Sequence, residues 1–144
     1  MVEEYKKFLG QWVYRSLRND TDLAKEFNQL EFGRGIITID SIGEDFIAEA
    51  ALRIPGNGVP DYYVLNLTGE LVRRENQIAE IKMRGEGIDN SSTEGWVYDY
   101  SGFLIPAWSN GIDQAFVITG SVFRVSDHGT AKAGYVGTFY MVHK

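Results

Sequence analysis

The chain has no cysteine, three prolines and two histidines among its 144 residues. Without thiols, disulfide scaffolds, cysteine–zinc sites and thiol catalysis are excluded. The two histidines are His128, in a predicted loop, and His143, next to the last residue. Their separation argues against a shared metal, whose ligands must converge within about 2.0–2.2 Å of the ion. No metal and no cofactor are therefore expected. Basic residues are also the minority, 14 against 20 acidic ones, for a net charge of −6. Lysine and arginine do not cluster along the chain, so a nucleic-acid partner is not expected. No apolar run approaches the ~18 residues that a membrane span needs. Residues 1–9, M-V-E-E-Y-K-K-F-L, are too charged and too short for a signal peptide, which makes a cytoplasmic location the expectation. No G-x-G-x-x-G, P-loop or G-x-S-x-G run occurs, so nucleotide binding and serine hydrolysis lack motif support. Gly33-Arg34-Gly35 precedes a strand rather than a helix and is no phosphate loop.

Glycine and aromatic residues are abundant: 16 Gly, 8 Tyr, 8 Phe and 3 Trp. Together they suggest a β protein whose strands bend and pack closely. Tyr5, Phe8 and Leu9 share one face of a short N-terminal helix that Gly10 ends. Period-2 alternation and turn signals then predict strands at 11–18, 33–40, 45–54, 61–73, 77–87, 94–104, 114–126 and 134–143. The 19–32 connection is long enough for a lid, with Thr21 or Asp22 capping a helical turn that carries Leu23, Ala24 and Phe27. The 55–60 run, P-G-N-G-V-P, is a breaker. Eight consecutive strands with mostly short turns predict one domain: an all-β, eight-stranded antiparallel up-and-down closed β-barrel with a short N-terminal helix. Closing the last strand on the first removes both sheet edges.

Alternation places Trp12, Tyr14, Tyr63, Trp96, Tyr98, Tyr100, Phe139 and Met141 on the inner wall. The 94–126 hairpin is expected to set Tyr98 opposite Gly120 and Trp96 opposite Val122, with glycines making room for rings. Gly69, Gly85 and Gly137 are expected to serve likewise. In a meander, the 19–32, 54–60, 88–93 and 127–133 loops share one end, the expected mouth. The other end is the floor, where Trp12 is expected beside Tyr100, Phe103 and Trp108. The strand at 114–126 is apolar on both faces, which predicts cover from the N-terminal helix or from a second copy.

Gly10-Gln11-Trp12 behind a short helix resembles the G-x-W opening of the calycin superfamily, which includes lipocalins, fatty-acid-binding proteins and avidins. The long first loop resembles the lipocalin lid. The resemblance implies a ligand inside the barrel and covers nearly the whole chain. The chain departs from lipocalins in two respects: T-D-Y is absent, and Arg124 lies on the seventh strand rather than at the end of the last. Allene oxide cyclase also uses an eight-strand barrel. Residues 95–108, G-W-V-Y-D-Y-S-G-F-L-I-P-A-W, look like uncharacterised bacterial proteins.

Candidate chemistry follows from these positions. Trp96, Tyr98, Tyr100, Tyr63, Phe139 and Tyr14 are the expected ligand walls. Arg124 is the expected polar anchor, unless it only forms an exposed ion pair with Glu94 across the strands. Several buried tyrosine hydroxyls need partners, which favours a partly polar, wet pocket. Glu80, Lys82 and Arg84 form a charged stripe. It is either a solvated outer face or, after a one-residue slip, an inward acid–base site. Three readings stay open: a barrel binding a small hydrophobic or aromatic ligand, a cyclase-, isomerase- or dehydratase-type enzyme using Tyr98, Glu80 and Arg84, and a filled barrel that forms a homodimer.

Overall fold

The computed structural model describes residues 3–54, 62–105, 112 and 114–144. Its elements are a one-turn helix α1 (Glu3–Lys6) and strands β1 (Gly10–Arg18), β2 (Glu31–Ile42), β3 (Asp45–Arg53), β4 (Tyr63–Arg74), β5 (Gln77–Gly87), β6 (Val97–Ile105), β7 (Val117–Arg124) and β8 (Val136–His143). Each strand pairs antiparallel with the next, and β8 pairs with β1 to close the barrel. The predicted architecture is the one observed. Trp108 and the 55–60 breaker lie outside the described residues.

The register explains how the rings fit. Gly69 faces inward, and a Cβ there would lie 2.4 Å from the Phe46 ring; the missing side chain is the space that ring fills. Between β6 and β7 the pairing differs from the expectation. Tyr98 faces Arg124, Tyr100 faces Val122, and Gly102 faces Gly120. The two glycines let the strands approach closely: a Cβ at Gly120 would lie 1.9 Å from the Ser101 carbonyl oxygen. The displacement is an even number of residues, so every side chain keeps its predicted face.

The floor half is solid. Trp12, Ile37, Leu67, Ile81, Ile118 and Met141 are each no more than 1% exposed. Phe8 seals the end: it stacks on Trp12, touches Phe116 edge-on, and its carbonyl accepts a 2.9 Å hydrogen bond from Trp12 Nε1. Two expected floor neighbours of Trp12 lie elsewhere. Tyr100 sits higher, against Tyr14 and Phe139. Phe103 points outward, 57% exposed, because inward Gly102 precedes it. Nor does the N-terminal segment cover the outer face of β7: Phe123 is 41% exposed there, while Phe8 plugs the floor.

Strand β5 resolves the charged stripe. Ile81, Met83 and Gly85 are buried, whereas Lys82, Arg84 and Glu86 are exposed. Arg84 makes a two-pronged bond to Asp99 at 2.7 and 2.9 Å on the outer wall. Glu80 is buried, but its carboxylate accepts a 3.0 Å bond from Arg74, itself mostly exposed. A β-bulge at Val72/Arg73 accompanies this irregular end of the strand. The inward acid–base stripe of Glu80 and Arg84 is thus overturned: turning it inward would bury three charges in an apolar core.

The first long loop is also simpler than predicted. Its only helical piece is a 3-10 turn at Phe27–Leu30, and Leu23 and Phe27 are 94% and 73% exposed. Asp22 Oδ1 accepts from the Ala24 backbone N–H at 3.0 Å. That local bond competes with helix formation, and Leu23 and Phe27 stay exposed instead of packing among the described residues.

Candidate functional site

The mouth end is hollow. A cavity of about 500 Å³ opens there, within the range of small-molecule pockets, roughly 300–1,000 Å³. Strands β1, β4 and β6 bring Tyr14, Tyr63, Tyr98 and Tyr100 to its wall, and Trp96 stands just before β6. Phe32, Leu52, Ile54 and Leu65 supply apolar surface opposite. Six of the seven expected site residues, all but Phe139, therefore line one cavity. Phe139 lies beneath it, 5.8 Å from both the Tyr14 and Tyr100 rings. It supports the wall without forming it.

Rings at the mouth are stacked three deep. Trp96 lies 5.1 Å from Tyr63 at 15° on one side, and 4.2 Å from His128 at 20° on the other. His128 was not among the expected site residues. It sits in a tight hairpin after β7, where His128 and Ala131 exchange two 2.9 Å backbone bonds around Gly129, whose φ is +57°. The sequence signal was there: Asp127-His128-Gly129-Thr130 is a turn that doubles the chain back over the barrel end.

Arg124 does not pair with Glu94. The Glu94 carboxylate accepts instead from the Asn90 backbone N–H at 3.2 Å, because the true register places Tyr98, not Glu94, across from Arg124. Arg124 Nε donates to the Tyr98 hydroxyl at 3.0 Å, and Nη1 donates to the Lys132 carbonyl at 3.1 Å. Its guanidinium also lies 5.2–5.7 Å from the rings of Phe32, Tyr98 and Tyr135, within cation–π range. Among the described residues no carboxylate pairs with Arg124, and none lines the cavity.

These bonds set the proton positions. Arginine can only donate, so the Tyr98 oxygen accepts from Arg124 and its own proton is free to go to His128 Nε2, 2.6 Å away. The imidazole then carries its proton on Nδ1. Desolvation, and then the charge of Arg124, hold His128 below its ordinary 6.5, which favours this neutral form at neutral pH. Burial pushes Tyr98 upward, opposed by the Arg124 hydrogen bond and charge. Burial also raises Tyr14 and Tyr100. All three phenols are therefore protonated and uncharged at neutral pH. The cavity lining is thus partly polar, as expected, with Ser16, Ser92 and Thr130 adding hydroxyls.

No group of three or more metal-ligating side chains occurs among the described residues. No helix among them is long and apolar enough to cross a membrane. Comparison of the chain with family models, curated proteins and solved structures returned no match.

Proposed function

We propose that the barrel binds one small, largely apolar or aromatic molecule at its mouth end, with an acidic or hydrogen-bond-accepting group held by Arg124. The observation carrying this reading is the cavity itself: aromatic walls, one guanidinium and no described carboxylate, in a chain with an excess of acidic residues. The barrel is consistent with the calycin resemblance, in which ligands lie inside the strands. The cavity counts against a filled barrel acting only through its outer face. A cytoplasmic setting, with which the lack of cysteine is compatible, belongs to the same proposal.

Tryptophan fluorescence tests the proposal. Titration with a varied panel of small aromatic and aliphatic probes, acidic and neutral, is expected to quench the wild type saturably. Trp96→Ala is expected to weaken the best probe at least tenfold, and Arg124→Gln is expected to weaken acidic probes selectively. If no member of the panel changes the emission, the binding reading fails.

One contact favours a second reading. The Tyr98 hydroxyl lies between a guanidinium and an imidazole, 2.6 Å from the latter, an arrangement suited to proton transfer. As Tyr98 takes a proton from a carbon next to a ligand carbonyl, it passes its own to His128. The return path then delivers that proton to the enolate oxygen, so no co-reactant is needed. Glu80 and Arg84 have no part in this version. Keto–enol interconversion of phenylpyruvate above the buffer rate, lost in Tyr98→Phe while binding persists, would favour an isomerase over a carrier.

A further inference from the structure

A second feature lies on the outside of the barrel and does not depend on the cavity. Arg15 on β1 pairs across the sheet with Arg34 on β2, and Arg34 pairs with Arg53 on β3. Adjacent strands are about 4.8 Å apart, so three arginine stems leave the outer wall in one row. Like charges placed directly opposite one another are destabilising. A chain with 20 acidic residues had ample means to alternate the signs here.

Compensation for the row is sparse. Among the described residues Glu31 alone serves it, 3.2 Å from Arg15 Nε and 3.8 Å from Arg34 Nε. Arg15 Nε and Glu31 Oε1 are buried and form no hydrogen bond among the described residues. Arg53 pairs with no carboxylate among the described residues; its guanidinium lies 5.1 Å from the Tyr62 ring. Arg15 is already oriented, with Nη2 donating to Asn28 Oδ1 at 2.6 Å. The three arginines border a groove of about 540 Å³, which Tyr62 and Tyr140 also line.

We infer that this row is an anion-binding site for a ligand carrying linked phosphate groups, of the diphosphate class. Three features point to that chemistry. All three positions are arginine, whose planar fork binds phosphate oxygens in pairs, where lysine offers a point charge. The row's backbones span roughly two strand spacings, about 10 Å, an extended set of donors that suits two linked phosphates better than one small anion. Tyr62, 50% exposed beside Arg53, presents a ring face to any flat portion of the ligand. In the free protein Glu31 offsets only part of the repulsion among three guanidinium charges, and the ligand would relieve the rest.

Calorimetric titration of the full chain with inorganic pyrophosphate at low salt tests the site. Saturable binding is expected, at least tenfold weaker in Arg34→Gln, with Arg34→Lys between the two. Trp96→Ala, which alters only the cavity, is expected to bind pyrophosphate like the wild type. A second readout needs no ligand: Arg34→Gln is expected to melt above the wild type at low salt. That gain is expected to vanish near 1 M salt, where the Debye length is about 3 Å. Absence of pyrophosphate binding, or equal binding by Arg34→Gln, overturns the inference. So does a lower melting temperature for Arg34→Gln at low salt, which would make the row a stabilising network. Binding of a hexaglutamate peptide in place of pyrophosphate would also overturn it, assigning the face to an acidic protein segment.

Discussion

At each end of the barrel an indole meets an imidazole. At the floor, His143 stands edge-on to Trp12, with centroids 4.9 Å apart at 89°. At the mouth, His128 stacks on Trp96 at 4.2 Å. The partners of the ring nitrogens differ. His143 Nε2 lies 2.7 Å from the Leu9 carbonyl, which can only accept, so this nitrogen carries the proton. His128 Nε2 faces the Tyr98 hydroxyl and accepts from it. At the floor the polar atoms end on backbone carbonyls of the N-terminal segment, which is itself part of the plug. At the mouth the imidazole Nε2 ends on a side chain, Tyr98, itself bonded by Arg124, and both rim an open cavity. Whether such a pair closes a barrel or furnishes a site depends on what satisfies its polar atoms.

Substitution of the two indoles gives the largest contrast. Trp12→Ala empties a fully enclosed position and is expected to cost about 3–5 kcal/mol. Trp96→Ala enlarges a cavity already open to water and is expected to cost about 1–2 kcal/mol, the ordinary range for a point change. Urea denaturation of the two variants measures both; equal losses would break the distinction between plug and pocket.

Next in size is Tyr98→Phe, expected to cost about 1 kcal/mol, because the partly exposed Arg124 and His128 regain water as a partner. Its signature is local. Amide exchange at His128 and Ala131 is expected to quicken while that of Ile118 and Met141 stays unchanged. Uniform quickening would mean that the mouth hairpin is part of the core.

Acidification sharpens the contrast without mutation. The folded state holds His128 below its ordinary 6.5, so between the two values the unfolded chain binds more protons. The contribution of neutral His128 is present above 6.5 and is lost as pH falls through the folded value. Its imidazolium would face Arg124 and could no longer accept from Tyr98. Trp96 emission is expected to change over this range, and Trp12 emission is not. Single-tryptophan variants followed by fluorescence against pH check this.

The smallest effect is expected at Arg84→Gln. Its pair with Asp99 is solvent-exposed and is expected to contribute under about 1 kcal/mol. Probe binding at the mouth should not change. A large loss of binding would reopen an acid–base role for the charged stripe.

Much of the barrel was legible because its signal is local. A period of two along each strand assigns faces without knowledge of any neighbour. Inward Tyr14, Tyr63, Trp96, Tyr98 and Tyr100 followed from that period, whereas the face of Lys82 and Arg84 was left open by a one-residue slip and only the structure turns them outward. Pairing was not legible at the same precision. The displaced register of β6 and β7 rests on Gly102 meeting Gly120, a contact between residues that each strand alone leaves undetermined. The same displacement separated Glu94 from Arg124 and gave Arg124 to Tyr98. His128 escaped notice because a loop residue shows no periodicity, and its role depends on where the hairpin folds back.

The amino-acid order by itself determined the number of strands, their faces and the end at which the long loops gather. Each is set by alternation and turn chemistry within a few residues. Tertiary structure alone decided that the aromatic interior is solid at one end and hollow at the other. It also gathered Arg15, Arg34 and Arg53, scattered along the chain, into one row. Both outcomes depend on which strand lies beside which and in what register, and that is settled by the closure of the whole barrel.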